Sequence, residues 1–362
     1  MKKLLIVSGE LSGSLYASKL VEELPPWVKV FGVFTGEVKG AEKLFDASTI
    51  TAFGLFEGLK KLPSLIKAKR KIEEFIERER PDAVLLIDFP GFNLKVAEVA
   101  KKRGVRVFYF IPPKLWAWGA WRVKKLKALV DRLFLIFPFE VDFYRSFGVE
   151  AVFVGNPLVD MVRPELSKSE FLSKTSLSEP LFTLMPGSRE SEVNYLLKPL
   201  LETAKEFNGS WAIPVASTVN YEKVKKLRDE VNPSVALLSQ SSRYSLMAYS
   251  KAGVIASGTA SLEGALSLLP HAVVYRLNSL TFALAKRLVK TKFVSLPNII
   301  AGREILPELL QERVNPKDIR RALEGLLERE EEVRRALKEE VVERLPGGCF
   351  KRLSEELAEE LS

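Results

Sequence analysis

The stretch "DAVLLIDFPGFN", residues 82–93, decides how this chain folds. Its apolar run is continuous, which is typical of a strand that is covered on both faces in a parallel sheet. The run ends at Asp88, a loop with Pro90 and Gly91 follows, and Asn93 can cap the helix that we predict next. The order strand, loop, helix predicts one repeating unit of an α/β fold.

The same order recurs on both sides of this stretch. The other continuous apolar runs are "LLIVSGE", "VKVFGVF", "VRVFYFI", "RLFLIF", "AVFVG", "LFTLMPGS", "WAIPVA", "VALLS", "AGVIASG" and "HAVVYR". A polar, proline-containing stretch near the middle divides them into two series. We therefore predict two doubly wound domains facing a cleft, over residues 1–165 and 166–340, and a C-terminal helical tail over 341–362. Ligands bind such sheets beyond the carboxyl ends of the strands.

Composition and charge exclude several classes of protein. The 362 residues carry a net charge of +9, and residues 1–165 hold 27 basic and 20 acidic side chains, which favours an anionic partner. No nucleic-acid motif accompanies this charge, so we do not expect nucleic-acid binding. Cys349 and His271 are the only residues of their types, which rules out disulfides within the chain and His-rich metal sites. We interpret His271 as structural, so acid–base chemistry should rest on carboxylates.

One basic and apolar stretch suggests contact with a membrane surface. No segment offers 18 apolar residues, so we expect a cytoplasmic protein without a spanning helix. The stretch "ITAFGLFEGLKKLPSLIKAKRKIEEF", residues 50–75, combines apolar residues with a cluster of cations, as interfacial helices do. The alternative is a core-packed helix with a solvated basic face. The predicted membrane contacts are Phe53, Leu55, Phe56, Lys60 and Lys61.

Two motifs lie at predicted strand ends in the first half. "SGELSG", residues 8–13, is a small-residue turn in which Gly13 would let a ligand approach the backbone, although a tight structural turn is the alternative. Asp88 ends its strand at the mouth of the predicted cleft, where a carboxylate can take a proton from a sugar hydroxyl. The alternative for Asp88 is a helix cap. We predict substrate binding at Gly13 and Asn93.

Two similar turns follow strands in the second half. In "LMPGSRESEV", residues 184–193, a Gly-Ser turn precedes a helix and Arg189 adds a forked cation, which suits a diphosphate leaving group. In "ASGTASLEGAL", residues 256–266, Glu263 could accept hydrogen bonds from two ribose hydroxyls. Neither matches a strict phosphate-loop motif, and no D-x-D pair is present to hold a metal, so we expect no metal and no cofactor. The predicted nucleotide-binding residues are Gly187, Ser188, Ser257, Gly258, Thr259 and Glu263.

A second basic segment is followed by a predicted short apolar strand and ends at a proline turn. "LAKRLVKTKFVSLPN", residues 284–298, carries Lys286, Arg287, Lys290 and Lys292. We interpret these cations as an anion site beside Asn298, which would enter the cleft on the proline turn. Ordinary solvation of a helix face is the alternative.

Together the motifs resemble those of the lipid-A-disaccharide synthase family. The resemblance rests on "SGELSG", "IDFPGFN", "WAW", "FPFE", "VGNPLVD", "PGSRESEV", "ASGTASLE" and "LAKRLVKTKFVSLPNIIAGREILPELLQE". It implies a metal-independent GT-B glycosyltransferase with two Rossmann-like domains, the first binding the acceptor and the second the UDP-sugar. The implied reaction joins UDP-2,3-diacylglucosamine to 2,3-diacylglucosamine 1-phosphate (lipid X), in the lipid A pathway of Gram-negative lipopolysaccharide.

The resemblance also implies roles for individual residues. Asp88 matches the family's general base, Arg189 and Asn298 match residues needed for activity, and Glu10 matches the acidic residue of the first loop. Arg303 and Gln311 fall in the last motif and are predicted to bind substrate. The chain departs from the family pattern at Ser14, Gly91 and Asn156.

The resemblance extends to location and assembly, and it leaves alternatives open. It implies peripheral binding to the anionic inner face of the inner membrane, and a homodimer, with exchanged C-terminal segments as one form. Alternatives are a UDP-GlcNAc 2-epimerase, a muramyl-type GlcNAc transferase and a catalytically weakened relative. The scarcity of histidine and the "SLPN" segment argue against the first two.

Overall fold

The computed structural model describes residues 1–9, 11–49, 62–117, 119–278, 282 and 291–362. The chain divides into two compact units. The first consists of Met1–Asp160 together with Pro346–Ser362, and the second consists of Met161–Leu345. Among the described residues, no helix combines the length and the apolar character needed to cross a bilayer.

The first unit contains a seven-stranded parallel sheet in the order β3-β2-β1-β4-β5-β6-β7. Its strands are β1 (Lys2–Ser8), β2 (Val28–Phe34), β3 (Ala41–Asp46), β4 (Ala83–Ile87), β5 (Arg106–Phe110), β6 (Arg132–Leu135) and β7 (Ala151–Phe153). Its helices are α1 (Leu11–Glu23), α2 (Leu62–Glu79), α3 (Pro90–Lys102), α4 (Val123–Leu129), α5 (Pro138–Ser146), α6 (Pro157–Met161) and the C-terminal α15 (Cys349–Leu361). The direction of winding reverses between β1 and β4, which marks the ligand crevice in doubly wound sheets.

The second unit contains a six-stranded parallel sheet in the order β10-β9-β8-β11-β12-β13. Its strands are β8 (Leu181–Met185), β9 (Ser210–Val215), β10 (Ala236–Ser239), β11 (Ala252–Ala256), β12 (His271–Tyr275) and β13 (Glu308–Leu310). Its helices are α7 (Lys168–Thr175), α8 (Glu190–Ala204), α9 (Tyr221–Val231), α10 (Arg243–Tyr249), α11 (Thr259–Leu266), α12 (Leu296–Ala301), α13 (Pro316–Glu328) and α14 (Glu330–Leu337). Here the winding reverses between β8 and β11.

Among the described residues, the eleven apolar runs given first are all strands, and two further strands are not foreseen. The short strand predicted before Pro297 is wrong, because residues 291–295 form no strand and a helix begins at Leu296. β3 is an edge strand whose side chains are largely half-buried or exposed, and β13 has only three residues. Neither contains the long apolar run that marks a strand buried on both faces. The prediction of two doubly wound sheets is confirmed.

The end of the chain returns to the first unit. The sequence predicts boundaries after residues 165 and 340, whereas the contacts divide the chain after Asp160 and after Leu345. Helix α15 packs on α1, and the Ser354 hydroxyl donates to Glu23 O at 2.8 Å. Because these contacts bury one face of α15, Pro346–Ser362 belongs to the first unit and is no separate tail.

Candidate active site

The carboxyl ends of β1 and β4 lie side by side at the reversal point of the first sheet. Ser8 pairs with Ile87, so the loops that follow these residues are neighbours. A Cβ added to Gly9 would lie 2.1 Å from Cδ1 of Phe89, and a larger residue would therefore displace that ring. The first loop thus packs directly on the loop that carries Asp88.

Asp88 has a strained backbone conformation. Its φ is 47° and that of Phe89 is 49°, both in the left-handed region. Such conformations cost about 1–3 kcal/mol each and are concentrated at functional sites. The Asp88 carbonyl accepts hydrogen bonds from Asn93 Nδ2 at 2.7 Å and from the Tyr109 hydroxyl at 2.8 Å. These two side chains stabilise the strained peptide and so fix the direction in which the carboxylate points.

The surroundings of Asp88 favour proton transfer. Burial raises the pKa of Asp88, while the Phe89 N–H and the Lys114 ammonium act in the opposite direction. A carboxylate with a raised pKa is a stronger base, and perturbed groups at the end of a strand are typical of catalytic sites. Asp88 therefore has both the position and the protonation chemistry of a general base.

Asn93 supports Asp88 rather than capping a helix. Helix α3 begins at Pro90, and Asn93 lies fully buried within its first turns. Its Nδ2 donates to Val7 O at 3.3 Å and to Ile87 O at 3.1 Å, besides Asp88 O. The structure thus corrects two expectations, since Asn93 is neither the cap of α3 nor exposed to a substrate. It joins the ends of β1 and β4.

The small residues of α1 also have packing roles. Gly13 is buried, and a Cβ there would lie 3.1 Å from Cβ of Ser8. The Ser14 hydroxyl lies 3.0 Å from that of Ser8 and accepts the Thr35 N–H at 2.8 Å. Gly13 therefore allows α1 to approach β1 closely, which corrects the expectation of direct substrate contact.

A buried glutamate on α5 was not singled out from the sequence. Glu140 is only 2% exposed, and it accepts hydrogen bonds from Trp116 Nε1 at 2.8 Å and from Phe137 N at 3.2 Å. Burial raises its pKa to about 7, against the opposing effects of Trp116, Phe137 and Lys114. The Tyr144 hydroxyl, on the same helix α5, donates to Pro113 O at 2.5 Å. Helix α5 thus holds the loop whose Lys114 acts on both carboxylates.

The sequence contains a partial signal for this arrangement. Glu140 follows Phe137 by three residues, and their hydrogen bond is a helix-capping interaction that such spacing indicates. The contact with Trp116 spans 24 residues, and only the folded chain brings the two side chains together.

In the second unit, the turn after β8 has the shape of an anion site. Gly187 has a φ of 110°, which favours glycine, and Arg189 precedes the first residue of α8 with its side chain 77% exposed. The Glu192 carboxylate accepts the N–H groups of Ser188 at 3.0 Å and Arg189 at 3.3 Å, and it lies 2.8 Å from the Arg189 guanidinium. The Ser188 and Arg189 N–H groups and the Arg189 guanidinium thus converge on the carboxylate of Glu192, and a diphosphate site at this turn stays a prediction.

The turn after β11 lies beside the turn after β8, because Ile255 pairs with Met185. Ser257 donates from its hydroxyl to Val294 O at 3.2 Å, and Gly258 has a φ of 147° just before Thr259 begins α11. The structure therefore brings both predicted turns to the same edge of the second sheet, at its reversal point.

Glu263 is held in a polar network. It is 8% exposed, it accepts the Tyr244 hydroxyl at 2.9 Å, and its Oε1 lies 3.5 Å from the Arg243 guanidinium. Burial raises the pKa of Glu263, while Arg243 and Tyr244 lower it. Arg243 and Tyr244 were not identified from the sequence, because neither lies in a strand-end motif.

Asn298 is buried, which corrects the expectation that its side chain enters a cleft. Its Oδ1 accepts the N–H groups of Ile305 at 2.9 Å and Leu306 at 3.0 Å. Its Nδ2 donates to Leu306 O at 2.8 Å and to Glu308 Oε1 at 2.9 Å. Four hydrogen bonds use the full capacity of the amide, so Asn298 joins α12 to the segment before β13.

Gln311 and Arg303 also bind other parts of the protein. The Gln311 amide accepts the Leu277 N–H at 2.8 Å and donates to Leu277 O at 3.0 Å. The Arg303 guanidinium pairs with Glu340. The structure thus corrects the assignment of Gln311 as a substrate-binding residue, since its buried amide is bound to Leu277. The Arg303 side chain is 54% exposed, so its assignment stays a prediction.

Several predicted residues lie outside the described residues. They are Glu10, Phe53, Leu55, Phe56, Lys60, Lys61, Lys286, Arg287 and Lys290.

His271 is described and buried at the amino end of β12, and burial lowers its pKa to about 4. It lies at the opposite end of the sheet from Ser257, as expected for a structural histidine.

The family model for lipid-A-disaccharide synthetase matches residues 4–359. The chain belongs to this family. A lipid-A-disaccharide synthase from Trichlorobacter lovleyi is 37% identical to it, over 96% of this chain and 94% of that protein. The family comprises glycosyltransferases, so the predicted family and enzyme class are confirmed.

Solved structures show the same fold at lower identity. The S. aureus MnaA-UDP co-structure aligns with a TM-score of 0.69 and 14% identity, over 100% of this chain and 97% of that chain. UDP-GlcNAc 2-epimerase from Neisseria meningitidis bound to UDP-GlcNAc aligns with a TM-score of 0.67 and 15% identity, over 99% of each chain. These alignments establish the predicted GT-B fold. At 14–15% identity these alignments show the fold and do not indicate the function. The epimerase alternative is excluded by membership of the lipid-A-disaccharide synthetase family.

Two of the departures from the family pattern have a structural account. A Cβ at Gly91 would meet no atom within 4 Å, so the position can accept a larger side chain. Asn156 is buried, and its side chain accepts the Leu158 N–H at 3.0 Å and donates to Ile136 O at 3.3 Å. Neither position disturbs the hydrogen bonds that hold Asp88.

Proposed function

We propose that this enzyme transfers 2,3-diacylglucosamine from its UDP-sugar to the 6-hydroxyl of 2,3-diacylglucosamine 1-phosphate. The products are the β(1→6) disaccharide 1-phosphate and UDP. The observation that carries the proposal is the strained, partly desolvated Asp88 at the reversal point of the first sheet, in a chain of the lipid-A-disaccharide synthetase family. On this assignment the first unit binds the acceptor and the second binds the UDP-sugar.

Asp88 acts as the general base. As the acceptor oxygen attacks the anomeric carbon, Asp88 takes the hydroxyl proton, and the bond to UDP breaks on the opposite face with inversion. Asn93 and Tyr109 are positioning residues, because they bind the Asp88 carbonyl and do not extend to the substrate. The Lys114 ammonium opposes the effect of burial, which raises the pKa of Asp88.

The turn before α8 stabilises the leaving group. Negative charge grows on the β-phosphate as UDP leaves, and the Ser188 and Arg189 N–H groups with the Arg189 guanidinium are the donors that suit it. The positive end of the α8 dipole acts in the same direction. Glu263 binds the ribose hydroxyls beside Ser257–Thr259, and Asn298 and Gln311 act as positioning residues.

An assay of UDP release tests this function. Purified protein with UDP-2,3-diacylglucosamine should release UDP when the acceptor is present, and the disaccharide should appear in equal amount by mass spectrometry. Acceptor lacking its 6-hydroxyl is the matched control and should give no UDP. Epimerisation of the donor without acceptor, or no turnover with authentic substrates, would overturn the proposal.

Peripheral binding to an anionic membrane surface is part of the proposal, since both substrates carry acyl chains. Helix α2 buries Ile72, Phe75 and Ile76 in the core and exposes its basic face, so its described part matches the core-packed alternative. Support comes instead from exposed apolar side chains beside cations: Ile66 at 62% and Trp121 at 80% exposure. Trp121→Ser should weaken co-sedimentation with anionic liposomes at low salt. Unchanged binding would contradict the proposal that Trp121 contacts the membrane.

A further inference from the structure

The carboxylate of Glu192 occupies the place proposed for the UDP diphosphate. Its Oε2 accepts the N–H groups of Ser188 and Arg189, and its Oε1 contacts the Arg189 guanidinium at 2.8 Å. A Cβ on Gly187 would lie 2.3 Å from the same Oε2, so the turn wraps closely around this carboxylate. The Glu192 side chain is 13% exposed, whereas that of Arg189 is 77% exposed.

The surrounding residues hold the turn in this shape. The Thr218 hydroxyl donates to Ser188 O at 2.6 Å. Burial raises the pKa of Tyr275 at the end of β12, the negative charge of Glu192 raises it further, and Arg189 acts in the opposite direction. The donors are therefore already directed at an anion, and the anion that they bind is part of the protein.

We propose that Glu192 is an internal competitor for the diphosphate. Its carboxylate keeps the Gly187–Arg189 turn in the binding conformation, leaves these donors when UDP-sugar binds, and returns to them as UDP departs. This assignment rests on the proposed function, because it takes the turn to be the diphosphate site. It makes Glu192 a residue that lowers affinity for UDP and promotes product release.

The charge of Glu192 and its shape can be separated. Glutamine at this position still accepts the two N–H groups but carries no charge, so it competes less well for the donors and for Arg189. Alanine removes both the competition and the support of the turn. Glu190 is the matched control, because it lies two residues away on the same first turn of α8 and binds Asn220 N and Lys223 instead.

Calorimetric titration with UDP and with UMP tests the proposal. Glu192→Gln should bind UDP about threefold to tenfold more tightly than wild type, while Glu190→Gln should change by less than about twofold. UMP, which lacks the β-phosphate, should show a smaller gain in the Glu192→Gln protein. Stopped-flow displacement of UDP should show slower release from that variant.

Contrary results can be assigned to one proposal or the other. Unchanged or weaker UDP binding in Glu192→Gln, with normal wild-type binding, would show that Glu192 is only a helix cap. An equal gain in Glu190→Gln would show a general effect of charge and would also overturn the inference. A wild-type protein that binds no UDP would remove the proposed function itself.

Discussion

The loop after β4 and the turn after β8 each lie at the reversal point of their sheet, yet they are stabilised in opposite ways. Asp88 is fixed by buried side chains, Asn93 and Tyr109, that bind its backbone. Arg189 is largely exposed and is bound by Glu192, a residue of the first turn of α8.

The difference matches the chemistry proposed for each. A general base benefits from desolvation, which raises its pKa, and from a fixed direction, which orients the proton transfer. A diphosphate site has to accept and release a charged product, so its donors need to remain accessible to solvent. Variants of the first region should therefore affect the chemical step alone, whereas variants of the second should also affect UDP binding.

The largest expected effect comes from Asp88→Asn. Asparagine keeps the shape and the backbone hydrogen bonds but cannot accept the proton, so kcat should fall by about 10²–10⁴-fold with unchanged affinity for UDP. Steady-state kinetics and UDP titration measure the two quantities. Asp82→Asn, at the opposite end of β4, makes the same charge change away from the site and should keep near-normal kcat. A near-normal kcat in Asp88→Asn would remove Asp88 from the mechanism.

Arg189→Ala should differ from Asp88→Asn by weakening UDP binding as well as catalysis. The guanidinium interacts most strongly with charge that grows in the transition state, and loss of such a donor typically raises the barrier by about 2.7–4 kcal/mol. Measured kcat and UDP affinity should both decline. Arg320→Ala, an exposed residue paired with Glu206, provides the control in the same unit. Equal UDP affinity in the Arg189 variant and the wild type would contradict the assignment.

Glu140→Gln tests how far burial perturbs the carboxylates around Asp88. The pKa of Glu140 is about 7 in the folded protein against an ordinary value of 4.5, so the folded state holds a proton that the unfolded state has lost between these values. The wild-type free energy of unfolding should therefore fall, as pH rises from 4.5 to beyond 7, by about 3 kcal/mol relative to Glu140→Gln. Urea denaturation of both proteins across this range measures the difference. If the free energies of unfolding of the two proteins changed with pH in parallel, Glu140 would have an ordinary pKa in the folded state.

The smallest effects should separate the two supporting residues. Asn93→Ala removes the side-chain donor shared by the carbonyls of Val7, Ile87 and Asp88, and it should lower the free energy of unfolding by about 1–3 kcal/mol, with a loss of kcat. Glu192→Ala removes a helix-capping interaction of a more exposed turn and should lower it by about 1 kcal/mol. Denaturant titration of both variants provides the comparison. An equal loss would show that the two loops are stabilised alike.

Much of the fold follows from local sequence. Continuous apolar runs such as Ala83–Ile87 are stable only when both faces are covered, and their alternation with helices predicts two parallel sheets. The edge strands β3 and β13 were not predicted because their sequences contain no long apolar run. They are strands because they pair with the neighbouring strands β2 and β12. The strand-end turns at Asp88, Gly187 and Gly258 were predictable, because glycine, proline and small polar residues mark such turns.

Contacts between distant residues could not be read in this way. Asn298 and Gln311 belong to the most specific motif, yet the structure shows that their amides are used by backbone groups of the second unit. The contact of Glu140 with Trp116 and that of Glu263 with Tyr244 likewise join separate segments. Motif membership predicted a role for these residues, but it did not indicate whether they bind substrate or other parts of the protein.

The sequence by itself determined the fold class, the family and the strand ends at which the candidate site residues lie. These depend on hydrophobic periodicity and on local turn chemistry, which act over a few residues. Only the tertiary structure decided that Asn93 supports Asp88, that Glu192 binds the predicted diphosphate donors, and that Pro346–Ser362 returns to the first unit. The physical reason is that burial and hydrogen bonding depend on which segments meet after folding, and these determine both pKa and accessibility.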